Sequence, residues 1–170
     1  MKFSEIPQFI TSTYQVTVEA SRLQSWIDEE PELQLNPDFQ RGHVWSEPQQ
    51  IAFVEFILRG GKSGRDLYFN YPSWSSSVKD GGYDEFVCVD GLQRITAITK
   101  FFNNELPAFG HKLEDFEDKP RMIMTRFTIH INELKSKKEV LKWYLGMNSG
   151  GTVHSEEEIM RVSDMLRREE

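Results

Sequence analysis

Hydrophobic and polar positions change period several times along this 170-residue chain, and each change marks an element. Thr13 to Val18 alternates and predicts a short strand. From Glu19 to Glu30, Leu23, Trp26 and Ile27 fall on one side at helical spacing, which predicts a helix closed by Pro31. Leu35 to Trp45 follows no period. Ser46 then opens a helix predicted from Glu47 to Arg59. Gln49 completes its capping box, Pro48 lies in the tolerant first turn, and Ile51, Val54, Ile57 and Leu58 form its core face. Gly60-Gly61 ends it. Asp66 to Tyr71 reads as a strand, and Pro72 to Tyr83, rich in Ser and Gly, as a surface loop.

Glu85 to Val89 predicts a strand that runs almost directly into a helix from Leu92 to Asn103, with Ile95, Ile98 and Phe102 inward. Pro107 to Pro120 is an acidic connection without a pattern. Arg126 to Ile131 alternates as a strand, and Ser136 with Glu139 caps a helix reaching about Met147. Asn148 to Thr152 breaks that helix. Ser155 caps a last one, whose stripe is Ile159, Val162, Met165 and Leu166. Strands and helices mix without a strict βαβ rhythm, so the expected class is α+β, a single domain with a small mixed sheet flanked by helices.

Composition narrows the possibilities. Hydrophobic residues make up 38%, with four Trp and twelve Phe, which suits a folded chain with a real core. No apolar run approaches bilayer length and the N-terminus has no signal-peptide core, so the expectation is a cytoplasmic protein without membrane association. The formal charge is −7, which disfavours sequence-independent nucleic-acid binding through a broad basic face. Lys135, Lys137, Lys138 and Lys142 cluster as a solvated helix face. The single cysteine, Cys88, sits between two valines on a strand and reads as a buried small hydrophobe.

Candidate chemistry concentrates where the strand ending at Asp90-Gly91 meets the next helix. The free N–H groups and partial positive charge of a helix start favour an anion such as phosphate. Gly91 lets backbone approach closely or take a positive φ. Arg94 can fork onto phosphate oxygens or onto Asp90, and Arg41 can share the charge of a polyphosphate. Asp90 can hold Mg²⁺ or orient a water. Trp45 offers a flat surface for a base, or a core ring. Asn148 with Gly150 and Gly151 suits a second backbone cradle, or a plain glycine cap and turn.

Three segments, taken in order, carry a resemblance: Asn36 to Arg41 with Val44-Trp45, Val89 to Ile98, and Met147 to Thr152 with Glu156-Glu157-Glu158. Together they resemble the N-terminal domain of GmrSD-type modification-dependent restriction enzymes, over roughly residues 13 to 165. The resemblance implies a ParB/sulfiredoxin-like fold, and a nucleoside triphosphate site with Mg²⁺-dependent hydrolysis linked to DNA metabolism or phage–host conflict. It implies Asp90, Gln93 and Arg94 as catalytic residues, with Asp90 also on the metal. Nucleotide-binding residues would be Gln40, Arg41, Trp45, Gly91, Arg94, Thr96, Asn148, Gly150 and Gly151. Leu92 departs from the usual Gln, which touches hydrolysis more than binding. Fuller members continue into an HNH-type nuclease, and no such domain is expected in these 170 residues.

Two alternatives stand beside the NTPase. One is a non-catalytic module whose nucleotide or DNA-derived ligand switches a partner effector protein. The other is a DNA-nicking enzyme using the same pocket. A homodimer is a further possible partner arrangement. Gly60 to Gly64 contains Gly-Lys-Ser but is not a P-loop: Phe56 occupies the required first glycine, and the segment follows a helix instead of a strand. The histidines show no metal-ligand spacing. His130 reads as a structural strand residue, and His43 as a surface-loop residue within reach of the ligand. Glu117-Asp118-Lys119 reads as a charged loop.

Overall fold

In the computed structural model one mixed sheet organises the chain. The structure describes residues 14–40, 42, 44–75, 82–118, 125–148 and 156–169, together with Ile6. The strands are β1 (Tyr14–Glu19), β2 (Leu33–Gln34), β3 (Asp66–Asn70), β4 (Phe86–Asp90) and β5 (Arg126–Asn132). Their order across the sheet is β1-β5-β3-β4-β2. Pairing alternates in sense: β1 and β3 meet β5 antiparallel and parallel respectively, and β4 meets β3 antiparallel and β2 parallel. The helices are α1 (Leu23–Asp28), α2 (Glu47–Leu58), α3 (Leu92–Phe102), α4 (Lys137–Asn148) and α5 (Glu156–Arg168). The α+β class is as expected.

Helices cover both faces of β4, which is why its residues form an unbroken apolar run instead of alternating. Phe86 and Cys88 point into a core shared with Leu67 and Phe69 of β3, Phe127, Ile129 and Ile131 of β5, and buried residues of α1, α2 and α3. Val87 and Val89 point the other way, to Phe39, Val140, Leu141, Trp143 and Tyr144, with Val162 of α5. Phe39, Phe69, Phe86, Phe101 and Phe127 are essentially fully buried, each contributing about 1.5–3 kcal/mol over an exposed ring. No residue of β1 or β5 belongs to the second core. Half of that sheet face is therefore polar and open, with Gln15, Thr17 and Arg126 exposed.

Several boundaries differ from expectation. The stretch read as one helix from Glu19 to Glu30 continues β1 through Glu19, makes a 3₁₀ turn at Ala20–Arg22, and is α-helical only over Leu23–Asp28. Antiparallel pairing of Glu19 with Arg126 outweighs its helical spacing. The two-residue β2 is too short to leave a period. The acidic connection contains an Ala108–His111 bridge and a 3₁₀ turn at Leu113–Asp115. On α3 the fully buried residue is Phe101, with Phe102 only half-buried. On α5 Ile159 is exposed while Val162 is buried. The expected loop at 72–83 lies partly outside the described residues. Among those described, no helix is long and apolar enough to cross a membrane.

Candidate functional site

Gly91 makes the turn from β4 into α3 possible. It stands at the N-cap with φ +141° and ψ −13°, and no side chain caps the helix. A Cβ built there would meet Leu67 Cδ2 at 2.8 Å. Glycine is thus required twice, by backbone angle and by the close approach of β3. The first turn of α3 begins beside Asp90, the last residue of β4, and the Leu92 N–H also meets the Cys88 thiol. Leu92 is buried, so its position belongs to the core and not to a polar pocket.

Arg94, one turn into α3, folds back over this corner. Its guanidinium meets Asp90 Oδ2 at 2.6 Å and donates to the carbonyls of Asp66 at 2.7 Å and Gly64 at 3.2 Å. Its side chain is 15% exposed and that of Asp90 41%. The arginine therefore fixes the carboxylate and the β3 approach, while Asp90 keeps a face toward solvent. The 60–64 loop, rejected as a P-loop, meets the site only as this carbonyl partner.

Two glutamines tie the irregular 36–45 segment to the same corner. The Gln93 amide oxygen accepts the N–H groups of Val44 and Trp45 at 2.9 and 3.0 Å, and its nitrogen donates to the Gly42 carbonyl at 2.7 Å. Gln40 donates to the carbonyls of Cys88 and Val89 at 3.1 and 3.0 Å. From the other side, Arg161 of α5 donates to the carbonyls of Asp38, Phe39 and Gln40 at 2.8, 2.7 and 3.2 Å. Lys137 adds an ion pair to Asp38 at 2.5 Å. The described residues of the segment have no helix or strand of their own and are held by side chains from three elements.

The sequence reading puts Gln93 and Arg94 on a ligand; in the structure both side chains engage protein. Trp45 is half-buried and packs its ring against Phe53 at 5.4 Å between centroids, the core alternative. Thr96 returns its hydroxyl to the Leu92 carbonyl at 2.8 Å. Asp90, Gly91, Gln93, Arg94 and Gln40 do come together at one corner. Arg41, His43, Gly150 and Gly151 lie outside the described residues, as does Ser155. Asn148 is the last residue of α4, and its side chain is likewise outside the description. Cys88 is fully buried, and burial pushes its thiol up to about 12.

Sequence reasoning missed a second group on the open half of the sheet. Tyr68 of β3 pairs in register with Asp90 on one side and His130 on the other. The Tyr68 and His130 rings stack at 4.7 Å and 15°, and Trp143 of α4 meets Tyr68 edge-on at 6.3 Å. His130 Nε2 lies 2.6 Å from Asp66 Oδ1. Burial, together with the charges of Asp66 and Asp90, holds the Tyr68 hydroxyl above the usual tyrosine range, with Arg94 opposing. The signal was present as polar residues at every second position of β3 and β5, but only the register brings them together. Arg161 carried no comparable signal.

The profile of the family described as "GmrSD restriction endonuclease, N-terminal domain" matches residues 23–127. No curated protein and no solved structure matches the chain.

Proposed function

We propose, from the premise that this chain belongs to the GmrSD restriction endonuclease N-terminal domain family, that it binds a nucleoside triphosphate at the Asp90–Gly91 turn and hydrolyses it within a restriction system. The observation that carries this reading is the turn itself. An uncapped helix start whose N-cap has no Cβ lies beside a half-exposed carboxylate already oriented by an arginine. Amides at a helix start hold phosphate oxygens by direct N–H donation and by the helix dipole. Arg94 acts here as the residue that positions Asp90. Gln40, Gln93 and Arg161 hold the 36–45 segment beside the turn.

Among the described residues no three His, Cys, Asp or Glu side chains gather as a metal-holding group. Asp90, 41% exposed, would serve Mg²⁺ arriving on the phosphates as its one protein carboxylate. Bound there, it would neutralise phosphate charge and polarise the phosphoryl group. Calorimetric titration of ATP, GTP, CTP and UTP with Mg²⁺, followed by phosphate-release assays, tests the reading. At least one nucleotide should bind and turn over, and Asp90→Asn should weaken both while the protein still melts cooperatively. Failure of all four to bind overturns it.

A second reading has its own support. Gln93 and Arg94 are both engaged with protein, and Leu92 is buried. These features suit a nucleotide-gated module that binds without turnover and signals to a partner effector or to DNA. Binding with no phosphate release would select it.

A further inference from the structure

The open half of the sheet carries a proton-transfer arrangement that the turn lacks. An ionised carboxylate only accepts hydrogen bonds, so His130 Nε2 carries the hydrogen shared with Asp66, and in the neutral imidazole Nδ1 then carries the lone pair. Among the described residues Nδ1 makes no hydrogen bond. Stacking on Tyr68 fixes the ring plane, and the side chain keeps 21% exposure. The ring is thus held on one edge and available at the other.

Register places this histidine relative to the turn. Asp90, Tyr68 and His130 form one row across β4, β3 and β5. Cross-strand neighbours stand about 4.5–5.5 Å apart at Cβ, so roughly 10 Å separates the ends of the row, with the Tyr68 ring between them. A triphosphate anchored at the α3 start is long enough to extend over that ring. The groups facing His130 are Asp66 and Tyr68 from β3 and the neutral Gln15 paired with it on β1. Beyond Tyr68 lie Asp90, Arg94 and the neutral Trp143.

We propose that His130, oriented by Asp66 and stacked on Tyr68, is the general base for hydrolysis of the nucleotide bound at the Asp90–Gly91 turn, an inference that rests on the nucleotide reading above. A water oxygen bonds to the γ-phosphorus as the bond from that phosphorus to the bridging oxygen breaks. The water proton passes to His130 Nδ1, and nucleoside diphosphate and inorganic phosphate leave. Imidazole suits the role because it exchanges a proton near neutral pH.

The test combines binding and turnover in the full chain, with His130→Gln and Asp66→Asn compared with wild type. Calorimetry with each Mg²⁺–nucleotide measures affinity, and phosphate release is followed from pH 5 to 9. His130→Gln should keep affinity within a few-fold while turnover falls about 10²–10⁴-fold, the range for a lost general base. Asp66→Asn, which keeps the shape of the pair but can offer an N–H to Nε2 and so favour the other tautomer, should lower turnover at unchanged affinity. A wild type that turns over, with a folded His130→Gln keeping pace, overturns this inference alone. Wild-type binding without turnover overturns it and leaves nucleotide binding standing. No binding by wild type overturns both.

Discussion

Replacing Gly91 by alanine tests the geometry on which the site depends. The native φ of +141° is one that a residue with a Cβ adopts only under strain of about 1–3 kcal/mol. The new methyl would also start 2.8 Å from Leu67 Cδ2, 3.5 Å from Leu67 Cβ and 3.6 Å from Ile95 Cδ1. Leu67 is fully buried and has little room to retreat, and overpacking of this kind costs about 1–3 kcal/mol. The two add to about 2–6 kcal/mol, or a fall in melting temperature of roughly 5–20 °C for a chain of this size. Gly60 supplies the control: its φ is +91°, and a Cβ there meets nothing within 4 Å. Gly60→Ala should cost only the strain, about 1–2 kcal/mol. Calorimetric melting of both variants beside wild type decides the matter. If Gly91→Ala melts no lower than Gly60→Ala, the contact with Leu67 is not what demands glycine.

Arg94→Ala should destabilise by about 2–4 kcal/mol in urea titration, because the guanidinium serves Asp90 and two carbonyls in a largely buried setting; Arg94→Lys should recover under half, having no fork. Gln93→Ala should cost about 1–2 kcal/mol and speed hydrogen exchange at the Val44 and Trp45 amides, with exchange in β5 unchanged. Arg161→Ala should loosen the same segment from the other side, raising exchange across 38–40. Cys88 should resist thiol reagents until the chain unfolds. Its thiol is raised from 9.0 to about 12 in the fold, so the native state holds its proton more tightly than the unfolded chain. Stability should therefore fall as pH climbs from about 9 toward 12, and Cys88→Ala should remove that part of the slope.

Local signals were legible and distant ones were not. The Ser46–Gln49 capping box appears as read, with α2 beginning at Glu47, because that contact spans three residues. The β4-to-α3 junction was legible for the same reason: an apolar run, a glycine and a 3.6-residue period are adjacent. Asp90, four residues from Arg94, was legible as its partner, but the two carbonyls Arg94 also serves lie 28 and 30 residues away, and the partners of Gln93 48 to 51 away. No spacing rule assigns a side chain to backbone groups at that range, so the contacts that Gln93 and Arg94 make with the protein were not legible. The Asp66, Tyr68 and His130 group was hidden for another reason. Each lies on a plain alternating strand, and only the parallel register of β3 with β5 makes them neighbours.

The order of strands also governs how the chain can be cut or built. β5, late in the sequence, lies between β1 and β3 and, among the described residues, joins the first strand to the rest of the sheet. During synthesis β1 has to wait for residues 126–131 to emerge before it can pair, and β3 shows a bare edge until then. A fragment trimmed to residues 23–127 would carry β3 and β4 but lose β1 and most of β5, residues 128–132. Its exposed β3 edge would be a template for pairing with other chains. Expression boundaries for this protein should therefore run beyond Asn132 at one end and before Tyr14 at the other.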